Sequence, residues 1–296
     1  MALVTIITPT YNRSHLLTNL YESLKKQKLQ DFEWLIVDDG SSDKTREIVQ
    51  HLQQETIFPI RYIYKNNGGK HTALNVGIKT ICSPLTMIVD SDDTLLPNAI
   101  QTITEIHAKY KDESSVGAYS FLRCYADGRP VLGLDREEFV DSYIKYRIKE
   151  NRPGDMAEVF KTHVLQEYPF PEFKEEKFLS EDVVWIQIGF KYKYVFINKS
   201  IYQCEYLTDG LSANDKPMKF ASPLGSMMRG KMLMSKGCGG KTNIKGAIIY
   251  DCYKKKARLC GVSDKRLELD VYQKILCSLM NPISIYFYKK WKPSRR

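Results

Sequence analysis

An open α/β fold built on a mostly parallel sheet flanked by helices is the architecture this sequence predicts. Three observations carry that expectation. Apolar runs rich in β-branched residues alternate four times with stretches whose apolar residues recur at helical spacing. Each of these runs ends in polar, acidic or glycine residues, so the strand ends gather at one edge of the sheet. A chain of 296 residues, 43% hydrophobic and 27% charged, is long enough for one large or two modest soluble cores.

Residues 3–7 are the first apolar run, and Thr8-Pro9-Thr10-Tyr11-Asn12 is its turn. Leu16, Leu17, Leu20 and Leu24 then predict a helix. A second buried strand at 32–37 ends in Asp38-Asp39-Gly40-Ser41-Ser42-Asp43, where Ser42 or Asp43 caps a helix with Ile48, Val49 and Leu52 on its core face. The third strand is 60–64, followed by the turn Asn66-Asn67-Gly68-Gly69 and a helix over 72–80. Residues 86–89 read as the fourth strand and 97–110 as the fourth helix. After a strand at 117–123 the alternation breaks. Residues 139–148 predict a helix, 182–190 another with Ser180 as its cap, and 194–197 and 201–206 two short strands. The stretch 221–280 has helical composition with scattered Lys and Arg.

The net charge of +9 is unevenly spread, with the acidic clusters in the first half and a strongly basic stretch from Arg229 onward. That asymmetry points to an anionic partner for the C-terminal part: membrane lipid, phosphate or nucleic acid. Nucleic acid is the weakest of these, since no binding motif accompanies the charge. Seven dispersed cysteines without a Cys-x-x-Cys pair argue against a disulfide framework or zinc site and for a reducing cytoplasm. No signal peptide is expected before residue 3, and no apolar run is long enough to span a bilayer.

The chemistry centres on Met87-Ile88-Val89-Asp90-Ser91-Asp92-Asp93. If the strand continues, alternation points Asp90 and Asp92 the same way. Close carboxylates repel, and a divalent cation relieves that repulsion; their oxygens are hard ligands suited to Mg²⁺ or Mn²⁺. A plain loop leading to the next helix is the rival reading. Asp38-Asp39 ends a different strand and can accept from a nucleobase N–H or a ribose hydroxyl, or it is a tight turn and helix cap. Asn67-Gly68-Gly69-Lys70-His71 sets a glycine turn and a cation at a helix start, where a diphosphate can be held. It is not a Walker loop.

Thr8-Pro9-Thr10-Tyr11-Asn12-Arg13, Asp38 to Asp43, Asn75-Val76-Gly77-Ile78 and Val89-Asp90-Ser91-Asp92-Asp93 occur together and in that order. This combination resembles the inverting family 2 glycosyltransferases of the GT-A fold, closely over about the first 125 residues and more loosely to Glu181-Asp182-Val183-Val184-Trp185. The resemblance implies a Rossmann-like sheet and transfer of a sugar from a nucleoside diphosphate donor, a UDP-sugar, with Mn²⁺ or Mg²⁺. By position, Pro9, Thr10 and Tyr11 would line the nucleobase pocket, with Asp39 on the base and Lys70 near the diphosphate. Asp90 would contact ribose or metal, Ser91 would join the donor-binding residues, and Asp92 would be the principal metal ligand. Asp182 would be the general base, with Glu181 the runner-up. The implied division is 1–125 for the donor half, 126–220 for the acceptor half of the same domain, and 221–296 for a helical basic extension.

The acceptor implied is a glycan or lipid-linked glycan of a surface polysaccharide. A basic, aromatic tail with Lys289-Lys290-Trp291-Lys292 suits a membrane surface, giving a cytoplasmic protein peripheral on the inner face of the membrane. Two enzyme rivals share the metal site, a retaining transferase and a nucleotidyltransferase; a third rival is a non-catalytic nucleotide-sugar-binding or membrane-docking subunit.

Overall fold

The computed structural model describes residues 1–152, 154–204 and 215–292. Of the expectations above, residues 205–206 of the last strand and the basic residues 295–296 lie outside the described residues. The chain forms two compact units. The first comprises Met1–Ser142, Pro153–Pro169 and Lys191–Leu207; the second comprises Tyr143–Arg152, Phe170–Phe190 and Thr208–Arg296.

The first unit carries the sheet. Strands β1 (Val4–Thr10), β2 (Phe32–Asp38), β3 (Ile60–Tyr64) and β4 (Leu85–Ile88) are parallel, in the spatial order β3-β2-β1-β4. Helices α1 (Ser14–Lys25), α2 (Thr45–Glu55) and α3 (Lys70–Ile78) connect them. Beyond β4 come the two-residue β5 (Thr94–Leu95), helix α4 (Ala99–Tyr110) and strand β6 (Val116–Cys124). On one face of the sheet Val4, Ile6, Trp34, Ile36 and Met87 pack against Leu17, Leu20 and Leu24 of α1, Val49 of α2 and Ile100 and Ile103 of α4. Wholly burying a side chain of this kind contributes about 1.5–3 kcal/mol. Trp34 is fully buried, and its indole N–H still donates to Thr8 Oγ1 at 2.9 Å, so no polar atom is sacrificed. On the opposite face α3 comes so close that a Cβ on Gly77 would lie 2.5 Å from Ile7 and 2.8 Å from Val37. That close approach is the physical reason for the glycine in Asn75-Val76-Gly77.

The rest of the first unit corrects several expectations. Residues 138–142 form a strand, β7 (Glu138–Ser142), and only Ile144–Lys149 turns helically, in one short π-type stretch. The helical spacing read over 139–148 is overridden by pairing: β7 lies antiparallel on β9 (Lys193–Gln203), with Phe139 stacked on Phe196 at 5.2 Å. The two short strands expected from 194 and from 201 are, as far as residue 203, this single strand β9, which runs parallel to β6 with register shifts. Strand β8 (Met156–Lys161), not foreseen, inserts antiparallel between β4 and β6. Its Lys161 is buried, and its ammonium donates to the carbonyls of Tyr110, Lys111 and Glu113 at 2.8–3.1 Å, closing the C-terminal end of α4. Helix α5 (Thr162–Glu167) follows.

The second unit is helical: α6 (Asp182–Lys191), α7 (Asp215–Ala221), α8 (Pro223–Leu233), α9 (Gly240–Cys260) and α10 (Val271–Trp291). Helices α8 and α9 cross through paired glycines, since a Cβ on Gly230 would lie 2.8 Å from Gly246 O and one on Gly246 2.7 Å from Gly230 O. Buried Glu176 receives the first N–H groups of α8, Leu224 at 2.7 Å and Gly225 at 2.8 Å. Burial pushes the Glu176 carboxyl above its ordinary range despite those two bonds. Among the described residues no helix is long and apolar enough to cross a membrane.

Candidate active site

The parallel register of β1, β2 and β4 brings Thr10, Asp38 and the stretch after Ile88 to the same edge of the sheet. Strand β4 ends at Ile88, and residues 90–93 form a turn closed by Asp93 N–H donating to Asp90 O at 3.2 Å. Strand alternation therefore does not align Asp90 with Asp92. A turn does, and it adds Asp93: the three carboxylates place oxygens within 4.8 Å of one another. Among the described residues no other group of this kind occurs.

Three like charges so close need compensation. Lys70, the first residue of α3, contacts Asp90 at 2.5 Å. Arg13, at the start of α1, contacts Asp92 at 2.6 Å. Asp93 accepts from the Tyr202 hydroxyl at 2.6 Å and lies 3.9 Å from Arg123. The Tyr202 hydroxyl also accepts from Asp90 N–H at 3.2 Å, and the Arg123 guanidinium sits 4.3 Å over the Tyr202 ring. Burial pushes the Asp90 carboxyl up, but Lys70 first, then Arg123 and Arg13, hold it below the usual carboxylate range. Burial likewise pushes the Tyr202 phenol well up, which keeps it a hydrogen-bond donor to Asp93. The donor set is all hard carboxylate oxygen, the type Mg²⁺ and Mn²⁺ take, so the residues fit such an ion.

Asp39 stands apart from this turn in its chemistry. It is 3% exposed and accepts four hydrogen bonds. Lys65 Nζ at 2.6 Å and Gly68 N at 2.9 Å reach Oδ1; Asn67 Nδ2 at 3.1 Å and Gly69 N at 2.7 Å reach Oδ2. The carboxylate thereby fastens the 65–69 turn that opens α3. Its neighbour Asp38 makes the tight turn, accepting Ser41 N–H at 2.8 Å and the Tyr62 hydroxyl at 2.6 Å. Pro9 and Thr10 are buried at the end of β1, Ser91 is buried in the acidic turn, and Tyr11 is exposed just beyond Thr10.

Glu181 and Asp182 lie at the start of α6 in the second unit. The Asp182 carboxylate is held by Arg229 of α8, whose Nε and Nη2 both reach Oδ2 at 2.7 Å, with Nε 3.0 Å from Oδ1. The Ser180 hydroxyl donates to Asp182 Oδ1 at 2.6 Å, while the Ser180 carbonyl accepts from Val183 N–H.

The motifs point to Asp39, Lys70, Asp90, Ser91 and Asp92 at one sheet edge; the structure adds Arg13, Lys65, Asp93, Arg123, Tyr202 and Arg229 as partners of the candidate residues. Arg13 and Asp93 are the last residues of two of the motifs and are legible there. Arg123 and Tyr202 meet only through the register of β6 with β9, and Arg229 only through the packing of α8 in its unit.

The profile described as Glycosyl transferase family 2 matches residues 5–153, half of the chain, and the chain belongs to that family. It is a glycosyltransferase with the mixed α/β architecture of GT-A proteins. The GalNAc(5)-diNAcBac-PP-undecaprenol beta-1,3-glucosyltransferase of Campylobacter jejuni is 27% identical over 229 residues, 72% of this chain and 70% of that one. Glycosyltransferase GlyG of Streptococcus pneumoniae is 31% identical over 155 residues, 52% of this chain and 51% of its own. A teichoic acid poly(glycerol phosphate) polymerase of Staphylococcus epidermidis is 31% identical over 135 residues, 45% of this chain and 18% of its own. Against these last two, the chain spans less than two thirds of the relative's length. In three dimensions it resembles S. aureus TarS in complex with UDP, with a TM-score of 0.61 and 17% identity over 100% of this chain and 93% of that one. Mannosyltransferase PcManGT from Pyrobaculum calidifontis, in complex with GDP-Man and Mn²⁺, has a TM-score of 0.57 at 17% identity, over 98% and 82%. At these identities the likeness is one of fold.

Proposed function

We propose that this glycosyltransferase moves a sugar, with inversion, from a UDP-sugar to a hydroxyl of a lipid-linked glycan in surface polysaccharide synthesis. The observation that carries the reading is the turn of Asp90, Asp92 and Asp93 at the carboxyl ends of parallel strands, ringed by Lys70 and Arg13, in a family 2 chain. TarS binding UDP and UDP-GlcNAc supports the donor class. The Campylobacter relative, named for a glycan on PP-undecaprenol, supports a lipid-linked glycan acceptor, and the Staphylococcus teichoic acid relative supports a surface-polymer role.

Asp92 and Asp90, with Asp93 beside them, are the residues that would hold Mg²⁺ or Mn²⁺, and PcManGT with Mn²⁺ supports such an ion. When bound, the ion supplies Lewis-acid neutralisation of the leaving diphosphate. Lys70 and Arg13 carry further positive charge to the same place. Pro9, Thr10 and Tyr11 bound the base. Asp39 serves that pocket by holding the 65–69 turn; a direct bond to the base would need one of its four donors to leave. Asp182, or Glu181 beside it, takes the proton of the attacking hydroxyl. Arg229 keeps Asp182 oriented for that transfer. Inversion follows if the base and the leaving group act on opposite faces of the anomeric carbon, and the product's anomeric configuration checks it.

The test of the reading is thermal stabilisation by UDP, GDP and their sugars with and without Mn²⁺. A ligand bound to the folded state raises the melting temperature by mass action. A shift with UDP that requires Mn²⁺ is expected; no shift with any nucleotide would overturn the donor assignment. Asp182→Asn is expected to lower turnover about 10²–10⁴-fold with donor affinity retained. If Glu181→Gln does so instead, Glu181 is the base.

A further inference from the structure

Helix α10 presents an apolar face to solvent along most of its length. Val271 is 73% exposed, Ile275 56%, Leu279 65%, Ile283 44% and Tyr286 61%. These positions follow one another at intervals of four, four, four and three residues, so they form one continuous stripe on the helix. The stripe is about 22 Å long at the α-helical rise per residue. The opposite side of the helix is committed to its own unit. Gln273, Cys277 and Ser284 are buried, Cys277 meets Met234 just past the end of α8, and Ser284 O accepts from Cys252 of α9. An Asp270–Gln273 capping box fixes the start of the helix. The stripe is therefore held in place by a packed, capped helix.

The charge on α10 says what would cover this face. The helix contains Lys274, Lys289 and Lys290 and no Asp or Glu, and Lys292 follows its end. Lys289 and Lys290 sit three and four residues after Tyr286, so the cations continue the apolar stripe. Tyr286 in the stripe and Trp291 at the end of the helix are amphipathic aromatics of the kind that settle at a membrane interface, while Tyr288 packs inward against Phe220. A second copy of the helix would bring lysine against lysine without a carboxylate to answer it. An anionic leaflet accepts both features at once.

We propose that the outward face of α10, from Val271 to Tyr286 with Lys289 and Lys290 at its end, lies in the plane of an anionic lipid surface. The helix docks on the bilayer without crossing it, in keeping with the absence of a span-length apolar helix among the described residues. This inference stands on α10 alone and goes beyond the sugar-transfer reading, to which it would add proximity to a lipid-linked acceptor.

The test is co-sedimentation of the full chain with phosphatidylcholine vesicles, with and without phosphatidylglycerol, and with no nucleotide or acceptor present. Binding to the phosphatidylglycerol vesicles is expected. Ile275→Glu with Leu279→Glu should weaken it about a hundredfold, because two buried apolar side chains are replaced by charge. Lys289→Glu with Lys290→Glu should weaken it about tenfold or more. All four positions are exposed, so melting temperature should hold; if the first pair does not fold, Ile275→Ser with Leu279→Ser replaces it. Unchanged binding in these variants, or equal binding to phosphatidylcholine alone, would overturn the proposal. So would a wild-type dimer that ignores vesicles and dissociates when Leu279 is changed, which would give the face to a second copy. Loss of sugar transfer with vesicle binding intact would count against the catalytic reading only.

Discussion

Two acidic clusters follow parallel strands in the first unit, and they are built in opposite ways. Asp39 is nearly inaccessible, and its oxygens take two backbone N–H groups, an amide and one ammonium. Asp90, Asp92 and Asp93 are instead crowded together and answered by side-chain cations and by the Tyr202 hydroxyl. A carboxylate bonded to backbone N–H cannot change partners without moving the chain. One faced by a lysine or arginine can, because those side chains swing on flexible stems. The same strand-then-aspartate pattern thus makes a fastener in one place and an exchangeable ligand set in the other.

The largest effect should come from the exchangeable set. Asp92→Asn is expected to cut turnover about 10²–10³-fold and to remove the Mn²⁺-dependent thermal shift, with the protein still folded. Retained turnover would break the contrast by showing that the acidic turn is not the metal site. The fastener should respond in the other currency. Asp39→Ala is expected to cost about 2–4 kcal/mol in urea unfolding, since it leaves the Gly68 and Gly69 N–H donors without their acceptor and takes the carboxylate from Lys65, which keeps Asn66 O and Thr72 Oγ1. The variant's remaining folded fraction should still respond to Mn²⁺. A variant as stable as the wild type would mean that the 65–69 turn holds itself. The smallest effect sharpens the boundary between the two. Tyr202→Phe removes one hydroxyl that bonds Asp93 and Asp90 N–H, at about 0.5–1.5 kcal/mol of stability. Its Mn²⁺ titration midpoint should rise a few-fold, because Asp93 loses the bond that orients it. An unmoved midpoint would confine Tyr202 to packing.

Much of the sheet was readable because its evidence is local. The runs that became β1 to β4 each contain enough β-branched and apolar residues to announce burial, and Leu17, Leu20 and Leu24 mark α1 by spacing alone. Strand β8 was not readable, because Met156-Ala157-Glu158-Val159-Phe160-Lys161 is short and its strand partners lie 34 and more residues away in the sequence. Residues 138–142 misled for a related reason: their propensity is indifferent, and their pairing with β9 decides the outcome.

The order of strands and helices at the start of the chain, the family, and the gathering of Asp39, Lys70 and Asp90 to Asp93 at one sheet edge are all legible in the residues. Parallel strands with short polar ends can gather them nowhere else. What each carboxylate is bonded to is settled by contacts between distant parts of the chain. That choice depends on Arg123 meeting Tyr202 across two strands, on Lys65 and Gly68 folding back over Asp39, and on Arg229 reaching Asp182. The same packing turns Cys277 and Ser284 of α10 inward and Ile275, Leu279 and Ile283 outward. A 3.6-residue period names the two faces of a helix, but which of them is buried is settled by the surface it packs against.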